Sequence, residues 1–218
     1  MHKTKGMNEV YSARRTVCSM LAIRGYTVDP AYSLQTPEQV VALYVHNPAR
    51  LTVVAQGPDG SLIAALFHVH CGKRKEKLGV GCVRQYAKIL HRMSIFKAIL
   101  VSHGLTPLAS RELTHHMVHM EPFLFRELVV NILEHKLVPK HEPLEGAERK
   151  AFMQKYRLED LPLILHTDPV VRFLGLKDGD VVKITRPDFV AGLYVTYRRV
   201  VSTLSSKSDI PSDKGGDE

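Results

Sequence analysis

Apolar residues at the start of the chain recur every three and four positions. Val10, Ala13, Val17, Met20 and Leu21 fall on one face of a helix predicted over 9–24, and Gly25 stands where a left-handed residue ends it. Thr36-Pro37-Glu38-Gln39 is a capping box with proline in the first helical position, so a second helix is expected to run to about His46, where Asn47-Pro48 stops it. The period then drops to two. Leu51 to Gln56 and Leu62 to His70 read as strands joined by the turn Gly57-Pro58-Asp59-Gly60. Val83, Tyr86, Ala87, Leu90 and Met93 return to helical spacing, and Phe96 to Val101 is strand-like. In Gly104-Leu105-Thr106-Pro107, Thr106 caps and Pro107 begins a helix expected to reach about Met120. Pro122 bars its continuation, and Phe123 to Ile132 is expected to close the sheet as a strand. Helix and strand alternate, which predicts an α/β module over 1–134.

Pro139 and Pro143 bracket a linker-like entry to a second, smaller α+β module over 135–201. Gly146 to Leu158, with Phe152, Met153 and Tyr156, supplies a helix. Asp168 is an N-cap with Pro169 behind it, Gly175 closes the short helix, and Lys177-Asp178-Gly179-Asp180 is turn chemistry. Val181 to Thr185 suits a strand, which Arg186-Pro187-Asp188 is expected to break before Ala191-Gly192 opens another. Leu193, Val195 and Tyr197 would line one face of that last strand, with Tyr194, Thr196 and Arg198 on the other. From Ser202 to Glu218 the composition turns to Ser, Asp, Lys and Gly without apolar period, as in a disordered tail.

Charge adds a partner class to this outline. Thirty basic residues against twenty-two acidic give a net charge of +8, which favours nucleic acid or acidic protein surfaces. Three cysteines suit a reducing compartment, and the apolar run Leu62 to Phe67 is far too short to span a membrane.

The second module also carries a resemblance. Leu161-Pro162, Asp168-Pro169-Val170, Arg172-Phe173, Gly175, Gly179, Val181-Val182-Lys183-Ile184, Arg186-Pro187, Ala191-Gly192, Tyr194 and Tyr197-Arg198 resemble the C-terminal signature of one family. That family is the jaw and assembly subunit of nuclear RNA polymerases, called subunit 5 in eukaryotes, whose C-terminal domain has a counterpart in the archaeal enzyme. His135-Lys136-Leu137-Val138-Pro139-Lys140-His141 is similar to the family's entry into this domain, and Tyr11, Arg14-Arg15-Thr16 and Arg24-Gly25-Tyr26 resemble the start of its N-terminal domain. Asp188-Phe189-Val190 and Leu193 depart from the pattern.

The resemblance implies a nuclear, non-catalytic polymerase subunit. Its N-terminal jaw domain, of restriction-endonuclease-like topology, would reach toward downstream DNA, and its C-terminal module would dock on the largest subunit. Other subunits would be partners, and catalysis with its Mg²⁺ would belong to other chains. Docking is expected to involve His135, Pro139, His141, Asp168, Pro169, Arg172, Gly175, Gly179, Val182, Ile184, Arg186, Gly192, Tyr194 and Tyr197. Val182, Ile184, Val195 and Tyr197 give more apolar strand face than so small a module is expected to hide alone, and Gly192 is expected to allow close backbone approach. Gly104, Thr106, Pro107, Ser110 and Arg111 form the candidate DNA-proximal turn, because a helix start offers unpaired N–H groups and a positive dipole end to a phosphate.

Catalytic alternatives find little support in the residues. His68, His70, Cys71 and Cys82 are zinc ligand types without a dependable spacing, and His115, His116 and His119 form a helical cluster in which His115 and His119 share a face, but without a third ligand or a nearby Glu they read as a surface cluster. A metal-dependent nuclease needs an acid on one strand and acid-x-lysine on the next. Pro58-Asp59 mimics the first half, but Leu62 to His70 carries no acid. Cys18 lies in an apolar helix face or beside it, where packing is its expected role, G-x-S-x-G is absent, and Gly79-Val80-Gly81 lacks both the third glycine and the lysine of a phosphate loop. No cofactor, membrane or small-molecule substrate is therefore expected. The competing class is a freestanding nucleic-acid-binding or nuclease-related α/β protein.

Overall fold

The computed structural model describes residues 2–69, 77–113, 117–188 and 192–202. The chain divides into two compact units, Met1–Asn131 and Ile132–Glu218.

In the first unit, α1 (His2–Ile23) buries Val10, Ala13, Val17, Met20 and Leu21 along one stripe. Gly25, at φ +81°, ends it while the Tyr26 N–H donates to Leu21 O at 3.0 Å, the bond pattern of a left-handed helix stop. After β1 (Thr27–Val28) and α2 (Pro30–Ser33), α3 (Pro37–His46) begins with the capping box complete: the Gln39 N–H donates to the Thr36 hydroxyl, and the Gln39 side chain accepts from the Thr36 N–H. β2 (Val53–Gln56) and β3 (Leu62–Phe67) form the expected hairpin.

The sheet is mixed, in the order β1-β2-β3-β4-β5. β4 (Lys97–Ser102) lies parallel to β3, and β5 (His119–Leu124) parallel to β4. Parallel neighbours require crossovers. α4 (Val80–Arg92) makes the first and α5 (Pro107–Glu112) belongs to the second. β3 and β4 are buried at five of six positions each, which is why they read as continuous apolar runs. Val83, Ala87 and Leu90 of α4 pack with Leu66, Leu100, Leu113 and Met120 in one core.

Three expectations shift here. The helix from Pro107 ends at Glu112, because Val118 and Met120 are buried next to and within a strand instead of continuing a helical stripe. That strand closes the sheet, but as His119–Leu124, and it runs through Pro122. β5 is the sheet's edge, where a missing N–H costs no ladder bond. Phe125 and Leu128 then bury on α6 (Phe125–Leu128), started by Glu127 accepting from the Leu124 N–H, so 123–132 is not a strand. Likewise β3 stops at Phe67, short of His70, and Met93 is 56% exposed past the end of α4.

In the second unit β6 (Lys140–Pro143), β8 (Val181–Asp188), β9 (Gly192–Val201) and β7 (Leu163–Leu165) form a sheet in that order. The expected linker is thus itself an edge strand. α7 (Gly146–Lys155) buries Phe152, and α8 (Pro169–Leu174) buries Val170, Val171 and Phe173. The Asp168 carboxylate accepts from the Val170 and Val171 N–H groups, and Gly175 ends the helix at φ +69°. Arg186-Pro187 does not break β8. β6 pairs only as far as Thr185, so beyond it the outer N–H that Pro187 lacks faces no described strand.

Two small cores flank this sheet. Val171, Leu176, Val182, Ile184 and Val200 fill one, and Leu144, Phe152 and Val181 fill the other, with Tyr197 packed against them. Val182 and Ile184 are therefore consumed by the unit's own core. Val182 and Ile184, expected among the docking residues, are corrected to core positions covered by α8 and Leu176, while Val195 of the same expected surplus stays exposed.

Candidate nucleic-acid interface and docking surface

The turn before α5 is fixed by backbone bonds to the residues preceding α4. The Leu78 N–H donates to Gly104 O at 2.8 Å, and the Thr106 N–H donates to Leu78 O at 3.1 Å. The Thr106 hydroxyl accepts from the Ala109 N–H at 3.3 Å, and Pro107 takes the first helical position. Gly104, Thr106 and Pro107 thus form one rigid corner. Ser110 and Arg111 are exposed on the helix that leaves it. That helix has six residues, so few peptide dipoles align and its positive end is weak. Side-chain cations must supply any attraction for phosphate.

They are supplied by α4. Arg84, Lys88 and Arg92 follow one another at four-residue intervals on its exposed side, and the helix contains no acid. Arg84 Nε donates to Glu112 Oε1 at 2.6 Å, which ties α4 to α5 and raises the Arg84 pKa. Between residues 77 and 120, Lys77, Arg84, Lys88, Arg92, Lys97 and Arg111 stand against one acid, Glu112. The capping motif at Thr106-Pro107 points to the turn and not to this helix. The signal was there in the spacing of its cations and in the missing acids.

The catalytic candidates resolve into structural roles. The Asp59 carboxylate accepts from the N–H and the hydroxyl of Ser61, at 3.1 and 2.6 Å, and these bonds lower its pKa while holding the hairpin turn. β3 beside it carries no acid. Cys18 is buried in α1, and burial pushes its thiol pKa up, the opposite of what a nucleophile needs. His68 Nδ1 lies 3.0 Å from the Tyr86 hydroxyl, and Cys82 is half-buried nearby in sequence, while His70 and Cys71 lie outside the described residues. His119 opens a strand, so the helical face proposed for it with His115 does not extend to it; His115 and His116 are outside the described residues. Among the described residues no three His, Cys, Asp or Glu side chains group as a metal site.

Signature residues of the second unit divide by what they do. Asp168, Pro169 and Gly175 shape α8, Gly179 turns at φ +84°, and Val182 and Ile184 fill the core. His141 Nδ1 lies 2.7 Å from Pro139 O, and His135 Nδ1 accepts from the Leu137 N–H at 3.3 Å, so both histidines order the entry to β6. Arg172 is half-buried on α8. Tyr197 stacks on Phe152 with ring centroids 4.5 Å apart. A Cβ on Gly192 would meet nothing within 4 Å. Its φ of +73° is therefore what calls for glycine there, not a close approach within the chain. His135, Pro169 and Gly192 are exposed while playing these local roles, and Arg186, Tyr194 and the neighbouring Leu193 and Val195 are exposed as well.

Residues 130–200 match the family model of the RNA polymerase Rpb5 C-terminal domain. Over 205 residues the chain is 34% identical to DNA-directed RNA polymerases I, II, and III subunit RPABC1 of Caenorhabditis elegans, spanning 88% of this chain and 95% of that one. It is 33% identical over 201 residues to DNA-directed RNA polymerases IV and V subunit 5B of Arabidopsis thaliana, spanning 88% and 90%. A solved structure of EndoMS in apo form matches 34% of this chain and 31% of its own, with a TM-score of 0.25 and 22% identity, too slight a likeness to bear on the fold. A third of its residues are shared with relatives that it spans almost end to end, and the chain belongs to the RNA polymerase subunit 5 family.

Proposed function

We propose that this chain is a non-catalytic subunit of a nuclear DNA-directed RNA polymerase, with the 135–201 module docked on the largest subunit and the 1–134 module acting as a jaw beside downstream DNA. The observation that carries the reading is the family match at 130–200, within relatives named as polymerase subunits and aligned over most of their length. Docking is supported by the exposed Leu193, Tyr194 and Val195, apolar side chains that a free-standing module would normally cover. Proximity to DNA is supported by the α4–α5 face. Cations four residues apart suit a phosphate backbone, holding it without reading bases, and Gly104, Thr106, Pro107, Ser110 and Arg111 border them.

Affinity tagging of the full chain in its native cells, with identification of the copurifying polypeptides, tests the reading. A stoichiometric largest polymerase subunit is expected, and its identity tells which polymerase hosts this copy. Recovery of the chain alone, bound to DNA, would instead establish the freestanding class.

A further inference from the structure

The backbone groups of β9 divide between the two sides of the strand. The Arg199 N–H donates to Pro162 O at 2.9 Å, and Val201 O accepts from the His166 N–H at 2.8 Å, both on the side of β7. The Val200 N–H donates to Asp180 O at 2.8 Å, on the side of β8. Odd-numbered residues of β9 therefore turn their backbone groups away from β8. β7 reaches only Arg199 to Val201. Leu193, Val195 and Tyr197, by the strand period of two, hold their N–H and C=O groups on an edge that no described strand covers.

Soluble proteins blunt such edges with proline, lysine, bulges or very short strands. β5 of the first unit follows this rule with Pro122. β9 does not. It is ten residues long, contains neither proline nor lysine, and pairs with β8 without a register break. The same stretch exposes Leu193 at 67%, Tyr194 at 54% and Val195 at 40%. Unpaired backbone and uncovered apolar side chains thus coincide on one segment.

We infer that Leu193 to Tyr197 of β9 accept an extended segment of another polymerase subunit as an added strand of this sheet. The inference rests on the function proposed above and specifies its contact. About five residues suffice to match the open edge, with apolar side chains at alternate positions against Leu193 and Val195. Charge indicates the rest of the occupant. Arg186, Arg198 and Arg199 flank the edge, β9 has no acid, and Arg199 Nε is buried without an acceptor among the described residues, so acidic residues in the incoming segment are complementary. A second copy of this chain would set like charge against like.

Backbone hydrogen exchange reads the contact directly. In the free full-length chain the amides of Leu193, Val195 and Tyr197 should exchange fast and those of Tyr194 and Thr196 slowly. In the purified polymerase all five should be protected, the odd ones by at least tenfold more than in the free chain. Val195→Pro removes one outward N–H at a position where an edge strand tolerates proline, and should lower incorporation at least tenfold in competition with wild type. Val195→Thr, which keeps that N–H, should be incorporated normally, and slow exchange at Val182 and Val200 in both variants verifies the fold. Incorporation of the chain with the odd amides still fast would overturn strand addition and leave the polymerase assignment standing. Absence of the chain from the polymerase would overturn that assignment too. Protection of the free chain that rises with concentration would mean self-pairing, and protection lost on removing 203–218 would mean its own tail fills the edge; either result ends the inference.

Discussion

Arg149 reaches from α7 to Asp180, its Nη1 3.0 Å from Oδ1, while the other carboxylate oxygen accepts from the Lys177 N–H at 2.7 Å. One side chain thus closes the turn around Gly179 and fixes a helix to it. Arg149 Nη2 also donates to Gly179 O at 3.1 Å. Both partners of the ion pair are partly exposed, so its own contribution is small, whereas the turn amide loses its acceptor if the carboxylate goes. Arg149→Ala should cost about 1 kcal/mol and Asp180→Ala about 2 kcal/mol in urea unfolding of the second unit. Equal losses would show that the ion pair, not the turn, carries the effect.

The two ends of α8 offer a matched test. Asp168→Ala removes the acceptor of two helix N–H groups and should cost about 1 kcal/mol. Gly175→Ala forces a side chain into φ +69° and should cost a similar amount, about 1 kcal/mol, with Gly175→Asn milder. Thermal unfolding measures both, and a neutral Gly175→Ala would refute the backbone argument.

Why these elements were legible in the sequence, and others not, follows from the range of the forces involved. Thr36, Thr106 and Asp168 cap helices through atoms two or three residues away, so their signals are local and complete. Pro122 and Pro187 misled because a proline's meaning in a sheet depends on whether a neighbour needs its N–H, and that neighbour lies far along the chain. Val182 and Ile184 read as part of a surplus apolar face because their cover comes from Val171 and Leu176, on and just beyond a helix too short to advertise a core. The family signature marked residues that shape the second unit, but the open edge of β9 depends on where β7 stops. In the first unit the turn at Thr106-Pro107 drew attention through its capping grammar, while the α4 cations had only spacing to announce them.

Cys18 gives a prediction about pH. Burial raises its thiol pKa in the folded chain above that of the unfolded chain, so the stability that the protonated thiol contributes is complete below the unfolded value, about 8.5. It is lost as pH rises from there through the folded value. Stability should fall as pH rises above about 8.5, and Cys18→Ala should flatten the part of that fall due to the thiol; the Tyr86 hydroxyl, also raised by burial, accounts for a remainder at higher pH. Alkylation of Cys18 in the native chain should be slow and should accelerate on unfolding. Rapid alkylation of the folded protein near neutral pH would contradict the burial that motivates this.

The α4 cations give the sharpest test of the jaw. Arg84 already faces Glu112, whereas no ion pair among the described residues engages Lys88 or Arg92. If a DNA backbone lies along this helix, Lys88→Ala and Arg92→Ala should each weaken polymerase retention on downstream duplex and lower the salt slope by about one unit. Arg84→Ala should do less, because its charge is partly answered before DNA arrives. Arg111→Glu, beside the Thr106-Pro107 corner, should weaken retention in the same way by adding repulsion. None of these changes touches the second unit, so incorporation into the enzyme should stay at the wild-type level and the loss should be equal on unrelated DNA sequences. Salt titration of elongation complexes assembled with each variant measures the slopes. An unchanged slope for Lys88→Ala and Arg92→Ala together, in enzyme shown to contain the altered subunit, would take α4 off the path of the DNA.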